Sequence, residues 1–483
     1  MPDRDAPRPE AGRIDRRNFM KLGGAGAAAA ALGATSGCAP GGESTMGGSQ
    51  RDGQWWVDES FALEEATIAE LSEAMASGER SAVEITDLYL ERIATLDRDG
   101  PRLRSIIETN PDALEVARQL DQERASGNVR GPLHGIPIVL KDNIDTADGM
   151  TTTAGSWALA GHIAAQDSGV AAKLRAAGAI LLAKANLSEW ANIRSTHSSS
   201  GWSGRGGQCG NAYAIDRNPC GSSSGSGASV SANFCAGAIG TETNGSVVCP
   251  SSVNGVVGIK PTVGLVSRAG IIPIAHTQDT AGPMTRSVAD AAAILSALVG
   301  PDPRDSMTEP SARFEGIDYT QYLDANGLRG ARIGIERSHF GNHPVVDSLM
   351  EDAIAAMSGA GAIIVDNTVI ETRAEFSTVS FQILLYELKA DLAAYLEMSG
   401  RPNGMGTLAD VIAFNEANAD REMPWFGQEI FLMAEEKGDL SSREYLTALR
   451  TAGELSRARG IDAVMEAHAL DAIVAPTTGP AWK

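Results

Sequence analysis

Residues 220–229 read CGSSSGSGAS, three consecutive serines between glycines. Such a stretch is either a slack linker or a loop whose backbone and hydroxyls approach a ligand closely. The surrounding 200–285 is rich in Gly, Ser, Pro and Asn, poor in charge, and for much of its length has neither strand nor helix period. A loop that long inside a compact domain is functional or disordered. The apolar pieces VSANFCAGAIG and VNGVVGIKP within it argue against disorder. A hydroxyl there is expected to react, and a serine attacks a carbonyl only when a base removes its proton. Gly221-Ser222-Ser223-Ser224-Gly225 fits G-x-S-x-G, the strand-to-helix elbow that would make Ser223 the nucleophile. That elbow needs a strand directly ahead of it, whereas Arg217-Asn218-Pro219-Cys220 read as a turn.

Three stretches taken together support another assignment. GIPIVLKDNI at 135–144, NPCGSSSGS at 218–226 and IGTETNGSVVCPSSVNGVVGIKPTVGLVS at 239–267 resemble the amidase signature family. The resemblance covers roughly 64–483, is most specific over 131–290, and is closest in kind to the peptide amidases. In that family a lysine closes the first apolar strand, and a serine joined by a cis peptide bond lies in the Gly/Ser loop. The nucleophilic serine ends a G-T-x-x-G-G-S turn. Matched residue by residue, these are Lys141, Ser222 and Ser246. The resemblance implies an α/β fold with a large mixed β-sheet between layers of helices. It also implies amide hydrolysis to acid and ammonia through an acyl-enzyme, with no metal and no organic cofactor.

The residue types suit that chemistry. Lys141 ends an apolar strand, where burial disfavours the charged ammonium and turns the side chain into a base. Ser222 can donate one hydrogen bond while accepting another, and so relay a proton between Lys141 and Ser246. The turn Thr243-Asn244-Gly245-Ser246 can aim backbone N–H groups at one point, an oxyanion hole. Ser223 is expected to orient Ser222 or the lysine. Cys220 and Cys249 flank the site and are expected as small packing residues rather than as a second nucleophile. The seven histidines are scattered and none is required. Two departures from the family stand out. Many members continue the turn as G-G-S-I-R, whereas this chain has Gly245-Ser246-Val247-Val248, with Asn244 in place of a glycine. Without that arginine the expected substrates are neutral amides, C-terminal peptide amides included. Members also normally carry a further stretch after APTTGPAW, and this chain ends at Lys483.

The elements that must hold these residues are legible in outline. Residues 64–125 read as helical, with a capping box at Ser81 and Glu84 ahead of ITDLYLERIATL. GIPIVLK reads as a strand, and DSGVAAKLRAAGAILLAKANL as helix, glycine turn and buried strand. SVADAAAILSALV is a helix capped by Ser287; ARIGIE, VVDSLMEDAIAAMSGAG and AIIVD form a further strand–helix–strand unit. A helical run follows over 371–470, then a last strand in LDAIVAPTTGPAWK. Such alternation indicates an α/β architecture.

The chain of 483 residues carries 61 acidic against 40 basic side chains, a formal net charge of −21. That surface would repel nucleic-acid phosphates and anionic headgroups alike. The N-terminus differs in texture: Arg16-Arg17-Asn18-Phe19-Met20-Lys21 precede an apolar Gly/Ala run from Leu22 to Ala34. A basic start, a mild apolar stretch too short to span a bilayer and small residues beyond it read as an export signal. The paired arginines resemble the twin-arginine type. Thr35-Ser36-Gly37-Cys38 resemble a lipoprotein cleavage site, with Cys38 as a possible lipid anchor. The expected organisation is a signal over 1–38, a flexible linker over 39–60 and one domain over 61–483, placed in the periplasm or tethered to a membrane. Four cysteines remain after Cys38, without C-x-x-C spacing, which argues against a zinc ribbon and leaves their pairing open. An amidotransferase A-type subunit and a non-catalytic, amidase-like binding lipoprotein are the rival readings. The export signal weighs against the first and the intact Lys-Ser-Ser set against the second.

Overall fold

Runs that are apolar without alternation must be covered on both faces. In the computed structural model, which describes residues 61–483, two such runs form the middle of a six-stranded sheet. Its members are β1 (Ile106–Thr109), β2 (Pro137–Lys141), β3 (Ile180–Ala185), β6 (Gly237–Glu242), β7 (Val257–Gly258) and β8 (Thr280–Thr285). They lie in the order β1-β3-β2-β6-β8-β7. A small hairpin, β4 (Trp202–Ser203) with β5 (Gly207–Gln208), stands apart from it. β2 runs parallel to β3 and β6, while β1, β8 and β7 pair antiparallel, so the sheet is mixed. Every residue of β2, β3, β6 and β8 is buried. The expectations for signal, acylation and linker fall on residues 1–60, outside the described residues.

Helices surround this sheet where their sequences present an apolar face. Ala82–Arg92 begins at the foreseen capping box: Ser81 accepts the Glu84 N–H while the Glu84 carboxylate accepts the Ser81 N–H. Ser287 caps Val288–Leu298 as expected. Gly169–Ala176 leads through Gly178, at φ +81°, into β3. Residues 64–125 hold helices as read, together with the short strand β1, which pairs with β3 and carries no alternation of its own. A second sheet of parallel strands, β9 (Arg332–Ile335), β10 (Ile363–Val365) and β11 (Ala472–Val474), lies in the order β10-β9-β11. The long helix Arg373–Met398 packs on Glu429–Glu435 and Arg443–Gly453.

One region departs from its reading. The Gly/Ser-rich stretch 200–285 is far from irregular: it contains β6, β8 and the helices Ser224–Ser231 and Val248–Val253. Ser224–Ser231 has the sequence SGSGASVS and is buried at every position, packed against β2, β3, β6 and β8. A helix buried all round shows no amphipathic period. Its glycines admit close neighbours: a Cβ on Gly225 would lie 2.2 Å from the Ser105 carbonyl oxygen.

Candidate active site

The site is built at the C-terminal ends of β2 and β6 and in the turns that follow them. β2 ends at Lys141, which is wholly buried. Its Nζ lies 2.7 Å from Ser222 Oγ, 2.9 Å from Thr241 Oγ1 and 3.2 Å from the Thr241 carbonyl oxygen. Burial pushes the Lys141 ammonium down to about 7, against the opposing pull of Asp279 and Glu242. Ser222 is buried, and the Gly221–Ser222 peptide bond is cis. Cys220 at φ +56° turns the chain just ahead of it, so no strand leads into the serine run.

Ser223 occupies a different niche from an elbow nucleophile. Its Oγ donates to the Thr241 carbonyl at 3.1 Å and accepts the Thr241 N–H at 3.2 Å. Its own N–H donates to the Ser246 carbonyl at 3.1 Å. The residue thus ties β6 to the turn carrying Ser246, and it fixes Thr241, the neighbour of Lys141. Ser246 is 8% exposed, the only one of Lys141, Ser222, Ser223 and Ser246 with measurable access to solvent.

Glu242 organises that turn. Its carboxylate accepts the N–H groups of Gly245 at 2.8 Å, Val247 at 2.8 Å and Val248 at 3.0 Å. The Gly245 amide is therefore engaged, while those of Asn244 and Ser246 have no partner among the described residues. Gly245 sits at φ +82° with open space around a would-be Cβ, so backbone conformation rather than crowding calls for glycine. The Thr243 hydroxyl donates to Asp279, which also accepts the Ile274 and Ala275 N–H groups. Burial raises the Asp279 carboxyl to about 6 despite those hydrogen bonds.

A small pocket lies beside Ser222 and the Thr243–Asp279 pair, and Ser246 is not among the residues that line it. Ser222, Thr241, Thr243, Asn143, Thr280 and Asp279 supply its polar lining, and Ala191, Ile271, Ile272 and Ile274 its apolar wall. Asp279 is the one ionisable group in that lining, and it is an acid. Asn143 Nδ2 donates to Thr241 Oγ1 at 3.0 Å. The apolar wall is held from behind, where His276 Nδ1 lies 2.8 Å from Asp391 and Thr277 donates to Glu387. Glu387 also accepts the Tyr445 hydroxyl. His276, Glu387 and Asp391 could gather round an ion, yet each is engaged with protein partners and serves as a loop anchor.

Cys220 and Cys249 are not separate packing thiols. They form a disulfide, with Cα atoms 6.0 Å apart, that joins the chain just before Ser222 to the helix just after Ser246. Sequence reading had not named Thr241, Glu242 or Asp279. Two of the three were detectable as acids standing alone in a charge-poor stretch.

Lys141 and Ser222 thus meet at 2.7 Å, while Ser246 stands at the Gly245 turn with no hydrogen bond to Ser222 among the described residues. A family model described as amidase matches residues 84–483, and the chain belongs to the amidase signature family of hydrolases. A model for the twin-arginine translocation signal sequence matches residues 13–33. Among solved structures, the native peptide amidase of Stenotrophomonas maltophilia is 49% identical, with a TM-score of 0.84 over 87% of this chain and 86% of that one. A peptide amidase in complex with the competitive inhibitor chymostatin matches at 49% identity and TM-score 0.84, over 87% and 85%. A probable amidase of Arabidopsis thaliana is 45% identical over 86% of this chain and 81% of its own length.

Proposed function

We propose that this hydrolase is exported and cleaves neutral primary amides, C-terminal peptide amides among them, with Ser246 as nucleophile. The observation that carries the reading is Lys141: fully buried, 2.7 Å from Ser222 Oγ, and pushed down to about 7. A neutral amine there offers its lone pair to the Ser222 hydroxyl while its N–H groups serve Thr241 O and Oγ1. Ser246 Oγ bonds to the amide carbon and passes its proton to Ser222 Oγ, whose own proton moves to Lys141 Nζ. The C–N bond then breaks as the proton returns along the relay to nitrogen, and ammonia leaves. Water retraces these steps on the ester to release the acid. The amides of Asn244 and Ser246, in the turn shaped by Glu242, would receive the developing oxyanion.

The preference for neutral substrates follows from the lining. No lysine or arginine lines the pocket, and Asp279 is ionised above a pH of about 6. Arg268, a conceivable counter-ion, is paired with Asp305, and Arg205 lies near Glu108 at 3.6 Å. The inhibited peptide amidase supports a peptide-like occupant for the same fold. Periplasmic residence and acylation at Cys38 complete the reading, resting on the signal match and on Thr35-Ser36-Gly37-Cys38. The test is ammonia release from a panel of amides, together with mass spectrometry of the quenched enzyme. Turnover should leave an acyl adduct on Ser246 and none on Ser246→Ala; turnover by Ser246→Ala would overturn the assignment.

A further inference from the structure

Four arginines converge on a part of the surface that shares no lining residue with the amide pocket. Between the turn preceding β1 and the β4–β5 hairpin lies an open cleft of about 350 Å³ lined by Arg98, Arg102, Arg104 and Arg205. The chain as a whole carries a formal −21, so most basic groups have acids to meet. Here the guanidinium groups of Arg98, Arg102 and Arg104 have no hydrogen bond or ion pair among the described residues. The acid in the lining, Asp97, accepts the Ser105 N–H and hydroxyl and the Ile106 N–H, and meets Arg98 only through space. Arg205 meets Glu108 at 3.6 Å, and the remaining like charges repel one another across the cleft.

Arg102 and Arg104 stand at φ +59° and +54°, left-handed conformations uncommon for long side chains, on either side of buried Leu103. Arg205 is fixed by donating to Thr151 Oγ1 at 2.9 Å and Thr153 Oγ1 at 3.1 Å. Opposite it, a Cβ on Gly207 would come within 2.8 Å of Arg104 Nη1, so the bare glycine leaves room for that guanidinium. Planar guanidinium forks match the oxygens of phosphate groups and bind them in pairs. The volume far exceeds a single oxyanion and lies at the lower end of small-molecule sites, roughly 300–1,000 Å³.

We propose that this cleft binds a small polyvalent oxyanion of the phosphate type, either free or carried on a small organic molecule. Titration calorimetry of the full domain at low ionic strength tests it, with inorganic pyrophosphate as the primary probe. One site per chain is expected, with phosphate binding more weakly. The Arg102→Gln/Arg104→Gln double variant should weaken pyrophosphate at least tenfold, and Arg457→Gln, at a remote exposed arginine, should leave it unchanged. Amide hydrolysis by both variants at the parental rate verifies their folding. A sugar monophosphate binding more tightly than inorganic phosphate identifies an organic carrier, and the reverse order a free anion. Failure of pyrophosphate to saturate, equal affinity in the double variant, or citrate binding as tightly as pyrophosphate would each overturn the proposal.

Discussion

Replacing Lys141 by methionine separates the two consequences of burying a lysine. The side chain is wholly buried, and its ammonium is pushed from 10.5 to about 7, chiefly by burial. In the unfolded chain it keeps its ordinary value. Between pH 10.5 and 7 the unfolded state therefore binds more protons than the folded one, and stability falls as pH falls across that window. Below about 7 both states are protonated and the penalty is complete, on the order of 5 kcal/mol at 1.36 kcal/mol per unit. From pH 9 to pH 7 the loss from this residue alone is roughly 2 kcal/mol. Methionine is close in volume and titrates nowhere. It takes one donor from Thr241 O, which keeps the Ser223 hydroxyl, and leaves the Ser222 hydroxyl without its lysine partner, but that cost does not change with pH.

Urea denaturation of both proteins at pH 9 and pH 7 reads the difference. Wild type should lose roughly 2 kcal/mol more than Lys141→Met over that interval. Lys141→Met should retain less than a thousandth of wild-type kcat, since base and relay vanish together. Wild-type kcat/KM should rise about tenfold between pH 6 and pH 8 as the amine is freed. Asp279→Asn should move this limb to lower pH, because the Asp279 carboxylate favours the ammonium. Equal pH responses of stability in the two proteins would refute a buried neutral lysine, and so would full activity in the variant.

Further outcomes concern the pocket, the disulfide and the leader. An N-blocked amino-acid amide should exceed a malonamate-like acid by at least 100-fold in kcat/KM, because an unpaired buried carboxylate costs about 3 kcal/mol or more; comparable values would show that a cation reaches the pocket. The Cys220–Cys249 bridge spans a sequence separation of 29, so its reduction should lower stability by up to about 4 kcal/mol. An unfolding midpoint indifferent to reductant would contradict that bridge. Changing Arg16 and Arg17 to lysine should leave precursor in the cytoplasm, and Cys38→Ala should abolish acylation; cell fractionation and lipid labelling decide both.

What could be read in the sequence was whatever chemistry is local. β2 and β3 are unbroken apolar runs, and the helices at 82 and 288 begin with serine caps whose partners lie three residues on. Ser224–Ser231 was invisible for the opposite reason: burial on every side erases the contrast between faces on which a helix is recognised. The same division runs through the site. Lys141, Ser222 and Ser246 stand in short motifs, and a motif survives in one dimension. Asp279 meets Thr243 across 36 residues, and Cys220 meets Cys249 across 29, so only the folded chain brings each pair together. Glu242 is the instructive intermediate. Its three acceptor contacts reach no further than Val248, within six residues, so a carboxylate ahead of a glycine turn in a stretch almost without charge was a local signal. Such an acid cannot lie idle, because burial without partners is costly and the nearest partners are the turn's own amides. Glu242 thereby takes the Gly245 N–H and leaves those of Asn244 and Ser246, so the residue that shapes the Ser246 turn also decides which of its amides are left without a partner among the described residues.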